Sequence, residues 1–134
     1  MRLFTQEEAN EALTVVRPLV ERLVAVRRDG LAATERVAAL QAKVAGNGGS
    51  LDPRAVRRAV RAQEKAERRL VELVTELDGL GVQVKDLDRG LVDFPAVHPV
   101  AGDVVLLCWH LGEDEVAHWH GLEEGYAGRK LLPF

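Results

Sequence analysis

Only one cysteine, Cys108, occurs in 134 residues, so no intrachain disulfide staples this chain. Aromatic residues are scarce, at 4%, which argues for helix packing over an aromatic-rich sandwich. Long apolar runs are missing too. No stretch of the C-terminal part without Asp, Glu, Lys or Arg is longer than residues 104–112, about half of what a bilayer-spanning helix needs. Met1-Arg2-Leu3-Phe4 leads straight into Gln6-Glu7-Glu8 with no apolar signal core, so a cytoplasmic location and no membrane contact are expected. Nor is there a large excess of one charge. Eighteen Lys and Arg against 21 Asp and Glu give net −3, which excludes a chain that condenses on nucleic acid as a whole. What is present, 47% hydrophobic and 29% charged residues, fits one domain over residues 1–134.

Framework and chemistry are segregated along the chain. Residues 1–80 carry 14 basic and 12 acidic side chains, and residues 81–134 carry four and nine. All four histidines, both tryptophans, the tyrosine and the cysteine lie in the second part. In the first part Ala12, Val16, Leu19, Leu23, Val26, Gly30, Ala33, Val37, Leu40 and Val44 alternate spacings of four and three, an a/d seam. Thr5 with Glu8 three residues on is a capping box, with Phe4 placed as its staple. Pro18 predicts a kink in helix 1, which spans about 5–45. Gly46-Asn47-Gly48-Gly49-Ser50 reads as the hairpin loop. Asp52-Pro53 then caps and opens helix 2, about 53–79, whose seam Val56, Ala59, Gln63, Ala66, Leu70, Leu73, Leu77 is stopped by Gly79 and Gly81.

From Val82 the apolar period drops to two. Residues 82–85 alternate, residues 90–94 offer a short strand before Pro95, and residues 104–111 return through a turn at Gly112-Glu113-Asp114-Glu115 to His120. The expected fold class is α+β: a long antiparallel helical hairpin (1–80), and a β module (81–134) with three or four antiparallel strands over about 82–120, packed on the N-terminal segment of helix 1.

Three stretches together resemble a known family. They are residues 4–13 (Phe4-Thr5-Gln6-Glu7-Glu8 onward), Gly81-Val82-Gln83-Val84-Lys85-Asp86 running to Gly90-Leu91-Val92-Asp93-Phe94-Pro95, and Leu107-Cys108-Trp109 through Trp119-His120 to Gly125-Tyr126-Ala127-Gly128-Arg129. The pattern is similar to that of a bacterial and archaeal family catalogued as domain of unknown function 2203, and it spans nearly the whole chain. Asp86, Asp93, Trp109, Glu113, Trp119, His120, Glu123 and Arg129 fall on family positions, whereas His110 and His118 depart from it. The resemblance implies the boundaries and the fold, and carries no established activity.

Several constellations have the residue types that chemistry needs. His118 and His120, two apart on a strand, point to one face and suit imidazole ligation of zinc or a similar divalent metal, with Glu123, Glu113 or Asp93 completing the shell. An open coordination position would make such a site hydrolytic, and whether the protein is an enzyme stays open here. With a simple two-residue turn at Glu113-Asp114, His110 falls on the opposite face. Asp93 sits in an apolar run where a charge needs a partner. Arg129 is one candidate, and such a pair, with His120 near it, would make a polar centre under Trp109 and Trp119. Asp86 and Asp88 read as caps of a turn closed by Gly90, and Cys108, lacking a CxxC partner, as buried and inert.

Arg54, Arg58, Arg61, Lys65 and Arg68 repeat at four, three, four and three on the outer face of helix 2. They could track phosphates, but with a net-acidic chain and no interleaved aromatics they read as a solvated face, and nucleic acid is not an expected partner. An extra stripe of Leu13, Val20, Val24 and Leu31 makes the apolar surface of helix 1 wider than two helices need. The leading expectation is therefore a non-enzymatic assembly or adaptor module that forms a homodimer through its hairpin, or takes another protein partner. A metal site in the β module is second, and nucleic-acid binding along helix 2 third.

Overall fold

The computed structural model describes residues 1–47 and 52–134, which form two compact units, Ala25–Glu72 and Met1–Val24 with Leu73–Phe134. Two long helices, α1 (Gln6–Asn47) and α2 (Pro53–Gly79), precede a five-stranded antiparallel sheet. Among the described residues no helix is long and apolar enough to cross a membrane.

Helix α1 starts where Thr5 Oγ1 accepts the Glu8 N–H at 3.1 Å, the N-cap expected from the sequence. It continues through Pro18. It also continues through Gly46 to Asn47, against the expected end at 45. Nothing lies within 4 Å of a Cβ at Gly46, and one helical glycine costs only about 1 kcal/mol, so the last turn propagates into the first residues of the expected loop. The remaining loop residues, 48–50, lie outside the described residues.

In the unit Ala25–Glu72 the helices run antiparallel. Gly30 stands level with Ala66, where an added Cβ would lie 3.2 Å from that of Ala66, and Gln63 Nε2 donates to Thr34 Oγ1 at 3.0 Å. Small buried residues, Ala33, Ala59 and Ala66, let the backbones approach. The seam opens toward its far end, since Val37 and Leu40 are half-buried and Val44 is exposed.

In the other unit, α2 ends in a Schellman turn. Val82 N–H donates to Leu77 O at 3.0 Å and Gly81 N–H to Asp78 O at 2.9 Å, with Gly81 at φ +87° and Leu77 and Val82 both buried. Strands β1 (Gln83–Asp86), β2 (Leu91–Val97), β3 (Val104–His110), β4 (His118–Gly121) and β5 (Lys130–Leu131) follow in spatial order. Two differences from expectation have clear causes. Strand β2 passes through Pro95, because β1 pairs only with Leu91, Val92 and Asp93, so the proline's missing N–H falls beyond the end of β1. Strand β5 lies past residue 120 and is two residues long, too short to leave an alternating signal.

One sheet face carries Phe94 and Trp109 toward the first turns of α1. Phe4 packs edge-on against Phe94 at 5.2 Å, and the Arg17 guanidinium lies over Trp109 at 5.2 Å. The stripe that argued for a dimer is largely used here. Leu13 and Val20 are buried and Val24 half-buried, with Gly90 seated against Val20 and Val24, so only Leu31 of the four stays exposed.

Candidate functional site

The polar side chains gather on the opposite sheet face, and strand register decides which ones meet. Asp93 of β2 lies directly across from Cys108 of β3, which lies across from His118 of β4, while His120 lies across from Leu106. Because side chains alternate, Asp93, Cys108, His110, His118 and His120 all project to this one face. His110 is therefore not on the opposite face. The β3–β4 connection spans residues 111–117 instead of a two-residue turn, and the resulting one-residue shift of register turns the histidines to the same side.

That connection is held by α1. Asn10 accepts the Val116 N–H through Oδ1 at 2.7 Å and donates to its carbonyl at 3.4 Å, and Gln6 donates to the same carbonyl at 3.1 Å. Arg17 donates to the carbonyls of Glu113 and Asp114 at 3.1 and 2.8 Å, and Trp109 Nε1 donates to Glu113 O at 3.0 Å. Glu113 is thus fixed by its backbone from one side while its carboxylate serves the other.

Two adjacent clusters result. In the first, Asp93, Cys108 and His120 are 1%, 0% and 3% exposed, and one ligating atom from each lies within 4.8 Å of the others. His120 Nε2 stands 3.3 and 3.2 Å from the two Asp93 oxygens, and its Nδ1 is 2.7 Å from Gly121 O. Burial pushes the Asp93 carboxyl above its ordinary value, and His120 opposes that shift. Burial, then the Asp93 charge, push the Cys108 thiol up to about 11, with Arg129 acting the other way.

In the second cluster, Arg129 grips Glu113 in a bidentate pair at 3.0 and 2.9 Å, and the His110 N–H donates to Glu113 Oε1 at 3.0 Å. His110 Nε2 and His118 Nδ1 approach the same carboxylate at 3.5 and 3.4 Å. Burial would raise the Glu113 carboxyl, but the Arg129 and His110 hydrogen bonds outweigh it and hold the group below its ordinary value. Arg129 also links the clusters, its Nη1 lying 3.9 Å from Cys108 Sγ. Tyr126 packs here, with Arg89 and Arg129 over its ring at 5.0 and 4.5 Å.

The family model described as Uncharacterized conserved protein (DUF2203) matches residues 2–132. The chain belongs to this family. No curated protein and no solved structure matches it.

In this DUF2203 chain the residues singled out from sequence separate as follows. Asp93 and His120 come together, and Cys108, read from sequence as inert packing, completes the group. The candidate Asp93–Arg129 pair is not formed: Cys108 stands between them, Arg129 turns to Glu113, and Asp93 takes His120. Trp109 lies on the other sheet face, so the centre is not beneath it, and Trp119 is half-buried against His98 and Phe134 at 5.2 Å each. Glu113 and His118 belong to the second cluster, where Arg129 occupies both Glu113 oxygens. Glu123 is exposed and lines a groove with His98 and Asp103. Asp86 caps its turn as expected, accepting the Asp88 and Arg89 N–H groups at 2.8 and 3.0 Å. Arg54, Arg58, Arg61, Lys65 and Arg68 are all exposed on α2. Nothing local in the sequence marks Cys108 for this group, because its partners stand on the neighbouring strands β2 and β4.

Proposed function

We propose that this protein binds a transition metal, with zinc the best match to the donors, through Asp93, Cys108 and His120. The observation that supports this reading is the convergence of a carboxylate, a thiol and an imidazole from three neighbouring strands within 4.8 Å. A hydrogen-bonded pair needs only Asp93 and His120; the thiol is the donor that a borderline-soft ion adds. The 3.2 Å between Asp93 and His120 Nε2 is close to the ~3.3 Å edge of a tetrahedron with bonds of about 2.0 Å. The Gly121 carbonyl holds the proton on Nδ1, so a neutral His120 offers its Nε2 lone pair to the cluster, the outer-shell arrangement that orients metal-bound histidines. Burial of all three donors favours an ion that fixes the sheet over an open hydrolytic centre.

The assembly reading has less beneath it. In the hairpin unit the large exposed apolar side chains among the described residues are Leu31, Val44 and Val71, which is thin for an interface core.

Metal analysis by mass spectrometry on untagged protein tests the proposal. The expected result is about one zinc per chain, lost in His120→Ala. Cobalt reconstitution should show a thiolate-to-metal charge-transfer band that is absent in Cys108→Ser. Wild-type protein that takes up no metal from equimolar zinc, and whose melting temperature zinc does not move, overturns it.

A further inference from the structure

We infer that α2 presents a phosphate-binding surface that docks a nucleic-acid duplex along its backbone without reading sequence. Residues 54–69 hold seven cations, Arg57 and Arg69 in addition to the five of the regular stripe, and two acids. At 100° per residue the seven fall within one arc of about 120°, and Glu64 and Glu67 both lie outside it. The buried Ala59 and Ala66 sit on the opposite side of the helix. Six of the seven are exposed; among the described residues only Arg69 has a carboxylate partner, Glu72 at 3.0 Å.

Within the chain this arrangement is unfavourable on two counts. Like charges three and four residues apart repel along the helix surface. Cations also crowd the first turns of α2, where the helix dipole favours acids, and beyond the Asp52 cap the first turn has none. A local rule broken with so little internal compensation is characteristic of a functional surface.

The whole-chain charge of −3 conceals the relevant distribution. The unit Ala25–Glu72 carries eleven basic and six acidic residues, net +5, and the remainder seven and fifteen, net −8. A second copy could supply acids, but the arc contains no apolar side chain, exposed ion pairs contribute little, and stable protein interfaces rest on buried apolar or aromatic anchors. A polyphosphate gains from counterion release, which needs only closely spaced cations. The arc is about 22 Å long, room for roughly six phosphates of one strand. Residues 25–72 contain no Phe, Tyr or Trp on which unpaired bases would stack, which favours a duplex over single strands.

Fluorescence anisotropy with labelled DNA and RNA duplexes of unrelated sequences, titrated across salt, tests this. Binding at low salt should show no sequence preference and a log–log salt slope of roughly −5. Arg58→Glu with Arg61→Glu and Lys65→Glu should lose about a hundredfold or more in affinity, with the helical circular-dichroism signal retained. The corresponding glutamine triple should reduce the slope by about three. Glu7→Gln with Glu8→Gln and Glu11→Gln should leave binding intact. Binding of only one duplex type identifies the source of the phosphate. No binding to either, a slope near zero, or full affinity in the charge-reversed triple overturns the proposal. So does a salt-sensitive dimer that charge reversal dissolves while no duplex binds, because the partner is then a second copy.

Discussion

His120→Ala and Asp93→Asn act on the same buried pair and should differ widely in their effect on stability. The Gly121 carbonyl, an acceptor only, faces His120 Nδ1 at 2.7 Å, so Nδ1 carries a proton. Nε2 then meets Asp93 either as a neutral nitrogen facing a protonated carboxyl or as an imidazolium facing a carboxylate. In both cases the pair shares one proton and is neutral overall. Asparagine at 93 supplies an amide N–H to Nε2 in place of that proton, so metal-free stability should change by about 1 kcal/mol or less. Alanine at 120 strands a carboxyl that is 1% exposed, and removing one member of a buried pair costs about 3–5 kcal/mol. With an unfolding entropy of about 2.1 cal/mol/K per residue, the melting temperature of His120→Ala should fall by roughly 10–18 °C. Circular-dichroism melts of the metal-free proteins measure both variants. If Asp93→Asn is as damaging as His120→Ala, or if His120→Ala stays within about 1 kcal/mol of wild type, the shared-proton argument is refuted. Zinc should raise the wild-type melting temperature and leave Asp93→Asn unmoved.

Three further outcomes follow from the same geometry. Gly90→Ala should cost roughly 2–5 kcal/mol in urea melts, about 1–2 from its left-handed φ of +65° and about 1–3 from a Cβ placed 2.7 Å from Val20 Cγ1. In a double-mutant cycle with Val20→Ala, strict additivity would show that no clash exists. Glu113 is held below its ordinary carboxyl value of 4.5, so its ion pair stabilises the fold fully above that value and less as pH falls through the folded one. The stability gap between wild type and Glu113→Gln should close as pH falls below 4.5; a gap that widens there would contradict the assignment. Cys108, buried with its thiol pushed up to about 11, should resist thiol reagents in native metal-free protein and react only at denaturant concentrations that unfold it, so rapid native labelling would show the site to be open.

Much of the framework was legible because it is local. Thr5, Asp52-Pro53 and Gly81 act within one turn of themselves, and each did in the structure what its chemistry requires. The α2 seam reads correctly for the same reason, since a 3.6-residue period places Ala59, Ala66, Leu73 and Leu77 on one side whatever they pack against. Helix α1 shows where this logic stops. Periodicity marks Leu13, Val20 and Val24 as apolar surface but does not say what covers it; in the structure Leu13 and Val20 are buried within the chain, and Val20 and Val24 meet the Gly90 turn.

The helix caps, the antiparallel pairing of two long helices, the switch to strands after Val82 and the segregation of chemistry into the C-terminal part are all written in local sequence. Tertiary structure alone decided which chemistry that part contains. Asp93, Cys108 and His120 meet because β2, β3 and β4 pair in one register, and a slip of one residue would send each side chain to the other face. That register depends on a seven-residue connection clamped by Asn10, Gln6 and Arg17, about 100 positions away in the chain. Caps and seams are encoded by neighbours in sequence, whereas the partners of Asp93 and Arg129 were chosen by contacts that no local pattern records.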